Sequence, residues 1–237
     1  MPSPRFTDDT LKFLRALKRH NERDWFKARK DRYESAVKTP MVSVIERLAA
    51  DFERMAPELV ATPKVSMYRI YRDTRFSHDK SPYKTHVAAV FPNRALTKHG
   101  GAGLYFHVDP DHVLVGAGIY APEPRQLYDL RRHLASNLTR FRAIVESPVF
   151  RKSFGPVAGQ RLVRAPKGFE ADDPAVEYLK LKQFLAGAER PSRFATSARF
   201  YSSLTRLFEQ LLPFVRFLNE PLITRRRSSP LASVGSG

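Results

Sequence analysis

Hydrophobic periodicity changes twice along this 237-residue chain, and those changes constrain the fold more than any single residue does. Up to residue 57, apolar side chains recur every three to four positions, the spacing of one helix face. Leu11, Leu14 and Leu17, broadened by Phe13, form a first stripe, with Thr7, Asp8 and Asp9 available as N-caps. Trp25, Phe26 and Tyr33 mark a second helix beyond Asn21. Val44, Ile45, Leu48, Phe52 and Met55 mark a third, which starts at Pro40 and stops before Pro57. From residue 63 to 120 the period is two. Runs over residues 64–71, 85–91, 104–108 and 113–120 are rich in β-formers. Short turns join them, among them Asp109-Pro110-Asp111 and the glycine-rich stretch 93–103. After Pro124 the helical period returns. Leu127, Leu130, Leu134, Leu138, Phe141 and Ile144 predict one long helix, and a short one follows Asp173-Pro174. A last helix covers residues 197–217, which Pro213 is expected to bend or end.

Helices, then strands without crossover helices, then helices again describe an α+β protein. The expectation is a single domain over residues 1–223, an antiparallel four-stranded meander flanked by N-terminal and C-terminal helices. Residues 224–237 read as a disordered basic tail. With 42% apolar and 11% aromatic residues the chain can bury a sizeable core. No apolar run approaches the roughly 20 residues of a membrane span. The first 19 residues alternate charge with hydrophobes and lack a secretory pattern, so a soluble cytoplasmic protein is expected. The absence of cysteine excludes disulfides, thiolate nucleophiles and Cys-ligated zinc.

Forty-one Lys and Arg against 24 Asp and Glu leave a net charge of +17. A field of that sign steers phosphates, nucleic acid or other anions towards the surface, unless it merely solvates that surface. Segment 69–86 stands out, because Arg69, Arg72, Arg75, Lys80 and Lys84 lie among Tyr83, His86 and only two acids, Asp73 and Asp79. An arginine fork grips two oxygens of a phosphate or carboxylate, and a lysine adds a mobile point charge. The competing reading is architectural: Asp73 and Asp79 tie the arginines into a lattice that pins the loop to the acidic first turns of the helices.

Strand alternation adds a second grouping. If the Val-rich and Leu-rich phases face the helices, His86, Tyr105 and His107 share the other face of the sheet, beside the basic loop. Two imidazoles and a phenol could do acid–base work there or serve as satisfied structural residues. His107, Asp109 and His112 crowd one turn, but no helical His pair or acidic cluster supports a metal site. Phosphate-binding P-loops, dinucleotide fingerprints and hydrolase elbows are missing, and no cofactor is expected. Lys167, with Lys180 and Lys182 further on, could extend the anion surface or sit on solvated loop and helix faces.

Three pieces of the chain resemble the bacterial and fungal family of conserved hypothetical proteins catalogued as domain of unknown function 2461. The first runs from Phe13-Leu14 to Trp25-Phe26, close to a family opening F-L-x(n)-N-x-R-x-W-F. The second and most specific is segment 69–86. The third is Pro166-Lys167-Gly168-Phe169, then an acidic-Pro turn and Leu-Lys-x-Lys-x-Phe. The likeness spans about residues 7–221 in the family's order. Asp173 stands before Pro174 where many relatives carry histidine, so any role of that imidazole is absent here. The resemblance implies a single-domain α+β unit and no established activity.

Three functions therefore stay open. A binding module would take a phosphorylated small molecule or nucleic acid on Arg69, Arg72, Asp73, Arg75, Lys80, Tyr83, Lys84, Tyr105 and Lys167. An enzyme on an anionic phosphoester would use His86, His107 or Tyr83 as acid or base. A protein-interaction domain would keep the arginine motif as scaffold. The first leads, because anion donors are in excess and the carboxylate or metal cluster of a hydrolase is missing.

Overall fold

The computed structural model describes residues 3–75 and 77–228, the last four of them in backbone only. The fold is α+β, with one four-stranded antiparallel sheet in the order β1-β2-β3-β4. The N-terminal helices are α1 (Asp8–Arg19), α2 (Arg23–Lys27), α3 (Lys30–Tyr33) and α4 (Thr39–Met55), with a π-helical turn at Glu34–Lys38 leading from α3 into α4. A short α5 (Pro63–Ser66) precedes strands β1 (Val87–Phe91), β2 (Gly103–Val108) and β3 (His112–Ile119). Then come α6 (Pro124–Ser136), α7 (Leu138–Val145), α8 (Pro148–Phe154), α9 (Val176–Leu179), β4 (Phe184–Pro191), α10 (Arg193–Thr196) and α11 (Phe200–Ser228). Among the described residues no helix is long and apolar enough to cross a membrane.

The chain divides into two compact units, neither of them contiguous in sequence. The first comprises Met1–Phe91, Tyr105–Val115 and Glu189–Phe208. Its core is aromatic. Phe91 meets Phe52 edge-on at 5.3 Å and Phe208 at 5.6 Å, and Phe106 stacks parallel to Phe91 at 6.3 Å. Buried rings contribute both area and edge-to-face electrostatics, so this cluster fixes the helices on the sheet face with little freedom to slide. Thr10, fully buried in α1, accepts the Thr7 amide and donates its hydroxyl to the Ala36 carbonyl at 2.6 Å. The second unit holds Pro92–Leu104, Gly116–Ala188 and Glu209–Gly237. There β3 and β4 approach so closely that a Cβ on Gly118, which sits at φ +132°, would lie 1.9 Å from the Phe184 carbonyl oxygen. Asn219, buried in α11, donates to the Ala102 carbonyl at 2.9 Å and accepts from the Ala102 amide at 2.8 Å.

Several expectations are corrected. Residues 64–71 do not form a strand. Thr62 accepts the Val65 amide and Pro63 opens a helical turn, so extended backbone begins only at Met67 and pairs through isolated bridges, Met67 with Ala89 and Tyr71 with Tyr83. The fourth strand is instead β4, at the other edge, so the antiparallel sheet keeps its sequential order but the connection before its last strand contains helices α6 to α9. Residues 180–184, read as an exposed helix face, lead into that strand. The predicted helix over 127–144 breaks at Asn137 into α6 and α7. Finally, α11 runs through Pro213 to Ser228, because Leu211, Leu212, Phe214, Val215, Phe217 and Leu218 are all buried around the proline. Their burial outweighs the roughly 3 kcal/mol that an interior proline costs. The tail expected to be disordered from residue 224 is therefore helical to 228, and residues 229–237 lie outside the described residues.

Asn219→Ala leaves both polar groups of a buried peptide unit unpaired. It is expected to lower the unfolding free energy by about 3 kcal/mol. Urea denaturation of the two proteins measures this, and a difference below about 0.5 kcal/mol would show that water replaces the amide.

Candidate functional site

Segment 69–86 leaves the sheet as an extended arm and returns to it. The arm is held by backbone bonds from Arg72 to the Pro82 carbonyl (2.9 Å) and from Lys84 to the Ile70 carbonyl (2.8 Å). Its return limb is clamped from 62 residues away. The Asn21 side chain donates to the Tyr83 carbonyl at 2.9 Å and accepts the Tyr83 amide at 3.0 Å. The Tyr83 ring is buried, stacked on Phe26 of α2 at 4.2 Å. Desolvation raises the Tyr83 phenol pKa, so the side chain is a neutral floor at ordinary pH.

Above that floor lies a groove of about 890 Å³ between the arm and the α2–α3 turn. Arg72 and Lys80 line it from the arm, and Arg23, Lys27 and Lys30 line it from the helices. Glu22 and Asp24 are the acids in its lining. Arg72 pairs with Asp79 and reaches Ser77 at 3.4 Å. Arg75 forms a two-pronged bond to Asp73, at 3.0 and 2.7 Å, and that contact pulls the Asp73 carboxyl down to about 2. Asp79 is lowered too, by Ser81 and then Arg72. Lys80 donates to the Thr74 carbonyl at 3.0 Å. Among the described residues, Arg23, Lys27, Lys30 and Lys80 have no carboxylate within ion-pair distance. The arginine–aspartate lattice thus exists, but it closes within the arm and leaves the groove's lysines uncompensated.

The sheet face carries the second grouping as expected. The His86 and His107 rings lie 5.0 Å apart, and the Tyr105 hydroxyl meets His107 Nδ1 at 3.0 Å. Two further residues join: His112 Nε2 lies 3.2 Å from His107 Nε2, and Asp109 Oδ1 lies 3.5 Å from His112 Nδ1. One set of tautomers satisfies all three contacts. Tyr105 donates to Nδ1 of His107, His107 Nε2–H donates to His112, and His112 Nδ1–H faces Asp109. Burial, reinforced by His86 and His112, holds the His107 pKa down to about 4, and burial with Lys84 lowers His86. Lys84 itself sits 5.1 Å over the Tyr68 ring and donates to the Arg69 carbonyl at 2.8 Å. Arg69 is exposed on the arm, outside the groove lining. Lys167 is exposed in the second unit and joins neither grouping. Among the described residues no group of three His, Asp or Glu side chains is arranged to hold a metal ion.

Asn21, Arg23, Lys27 and Lys30 are the site residues that sequence reasoning missed. The only hint was the N-x-R-x-W-F piece, whose Asn21 and Arg23 had no assigned work.

The imidazole chain couples stability to pH. His107 titrates lower in the folded protein than at its unfolded value near 6.5, so its contribution is complete above pH 6.5 and is lost as pH falls towards 4. After discounting for solvent screening, about 1–2 kcal/mol should disappear between pH 7 and pH 5. Urea titrations over that window should show a flatter profile for His107→Gln; parallel profiles would refute the assignment.

The family described as "Conserved hypothetical protein (DUF2461)" matches residues 9–217. No curated protein matches the chain. The matched region includes every residue of the groove, the arm and the imidazole chain, and the chain belongs to the DUF2461 family.

Proposed function

We propose that this protein binds a phosphate-bearing ligand in the groove between the arm and the α2–α3 turn. The observation that carries the reading is the convergence of Arg23, Lys27, Lys30, Arg72 and Lys80 on one concavity, four of them without a carboxylate partner. Like charges gathered on an open wall repel one another, and an anion bridging them removes that cost. Arg72 brings a fork already oriented by Asp79, so little side-chain entropy is lost on binding. Glu22 and Asp24 also line the groove and oppose part of this attraction. The protein's overall positive charge adds long-range steering. A cytoplasmic setting fits a phosphorylated small molecule or nucleic acid as the ligand.

A second reading, an enzyme acting on a phosphoester, is favoured by one observation, the directed chain from Tyr105 through His107 and His112 to Asp109. His107 is neutral near pH 7, but a pKa held down to about 4 makes it a weak base unless a substrate changes its surroundings. Tyr83 is withdrawn from that reading by its buried, stacked ring. The enzymatic reading requires that His107→Gln abolish turnover of a phosphoester while leaving its binding intact.

Melting temperature in the presence of inorganic phosphate, pyrophosphate, nucleotides and short oligonucleotides tests the binding reading, because a ligand of the folded state alone raises it. Lys27 and Lys30 are exposed and unpaired, so the double variant Lys27→Gln, Lys30→Gln should fold normally. It should bind the active probe about tenfold more weakly or worse. If no anionic probe shifts the melt, or if the variant binds as the parent does, the groove is not an anion site.

A further inference from the structure

The groove has one wall that phosphate alone does not account for. Tyr71 stands beside Arg72 on the arm with 53% of its surface exposed, and it lines the groove. A lone exposed tyrosine is ordinary, since folded surfaces are more than half apolar. This one is placed otherwise. Its ring leans on Tyr83 at 5.4 Å and 46°, and Tyr83 in turn lies flat on Phe26 at 4.2 Å and 23°. Three rings thus form a ladder from the core to the groove, and the outermost rung has an open face. Two contacts hold that rung, the bridge between Tyr71 and Tyr83 and the Asn21 clamp on Tyr83. An ordered aromatic face loses little freedom when a second flat ring lies on it. Arg72 and Lys80 from the same arm and Lys27 and Lys30 from the helices line the same groove.

A flat, π-faced platform ringed by cations meets two demands at once: a planar ring to stack and an anion within reach of the same molecule. Inorganic phosphate and sugar phosphates satisfy only the second. Duplex nucleic acid presents phosphates but keeps its base faces covered. We infer that the ligand is a nucleotide with an accessible base, free or in a single strand, whose base stacks on Tyr71 while its phosphates lie against Arg72, Lys80, Lys27 and Lys30. A groove of about 890 Å³ holds one such unit, within the roughly 300–1,000 Å³ common for small-molecule sites. Stacking accepts any base, so the site selects for an open base and a phosphate before it selects for base identity. The inference rests on the anion reading above, and it adds the aromatic half of the ligand.

Calorimetric titration of the full chain with AMP, ribose 5-phosphate and inorganic phosphate separates the two halves. AMP should bind at least about tenfold more tightly than ribose 5-phosphate, from base–aromatic stacking. Tyr71→Ala should erase that difference and leave inorganic phosphate binding unchanged, while Tyr71→Phe keeps it. A single-stranded hexanucleotide that binds more tightly than AMP, with affinity falling as salt rises, names a strand as the source; equal affinities name the free nucleotide. Equal binding of AMP and ribose 5-phosphate, or a duplex that binds as well as the single strand, overturns the stacking inference while the anion site stands. If none of the probes binds, the anion site falls and the stacking inference with it.

Discussion

Two hydrogen bonds between Asn21 and the Tyr83 peptide unit decide whether this protein has a groove at all. The basic arm pairs with itself and with the sheet edge through isolated bridges, a weak tether for its like charges. An amide side chain that donates to one backbone group and accepts from the other satisfies a peptide as a neighbouring strand would. It does so from the turn that launches α2, so one contact sets the distance between the cations of the arm and those of the helices. The stack of Tyr83 on Phe26 fixes the same distance from the apolar side. Polar and apolar restraints agree, and the concavity between them is held open.

Within the arm, arginine and lysine have separate duties. Arg72 and Arg75 meet Asp79 and Asp73 in their own loop, and the lowered carboxyls record how strongly. These pairs are exposed, so their worth to global stability is small. Their effect is local: they order a loop that would otherwise repel itself. Lys27 and Lys30, on the facing helices, carry charge without a partner and with long flexible stems. Rigid forks on one wall and mobile point charges on the other suit an anion whose position is set by the first and whose entry is helped by the second.

Period-two alternation made the sharing of one sheet face by His86, Tyr105 and His107 legible, because side-chain direction follows from the strand itself. The same logic failed one strand earlier. Thr62 and Pro63 begin a helical turn there, and a local cap overrode the β-forming composition of residues 64–71. Strand β4 was invisible because its inward positions after Phe184 are Ala186 and Ala188, small residues with no β preference. Its strand character comes from packing against β3 across Gly116 and Gly118. The basic arm could be read as an anion candidate, but its lysine counterparts in α2 and α3 looked like ordinary solvated helix positions. Nothing local distinguishes Lys27 from Lys12; only the clamp at Asn21, closing a 62-residue loop, brings one of them to the groove.

The imidazole chain and the groove differ in a way that charge counting hides. A protein of net charge +17 should resist further protonation, and His107 and His86, the latter beside Lys84, are both held below the ordinary imidazole range. Burial lowers His107 first, and its neighbours add to the effect, so His107 is neutral at pH 7. The groove, lined by groups that stay charged, keeps its field. On the proposed reading, an incoming anion would be drawn to Lys27, Lys30, Arg72 and Lys80 and not to the histidines. Acidification would reverse that contrast only by charging His107, which the folded state opposes. On that reading, a His107 kept neutral by burial leaves the groove as the stronger electrostatic target.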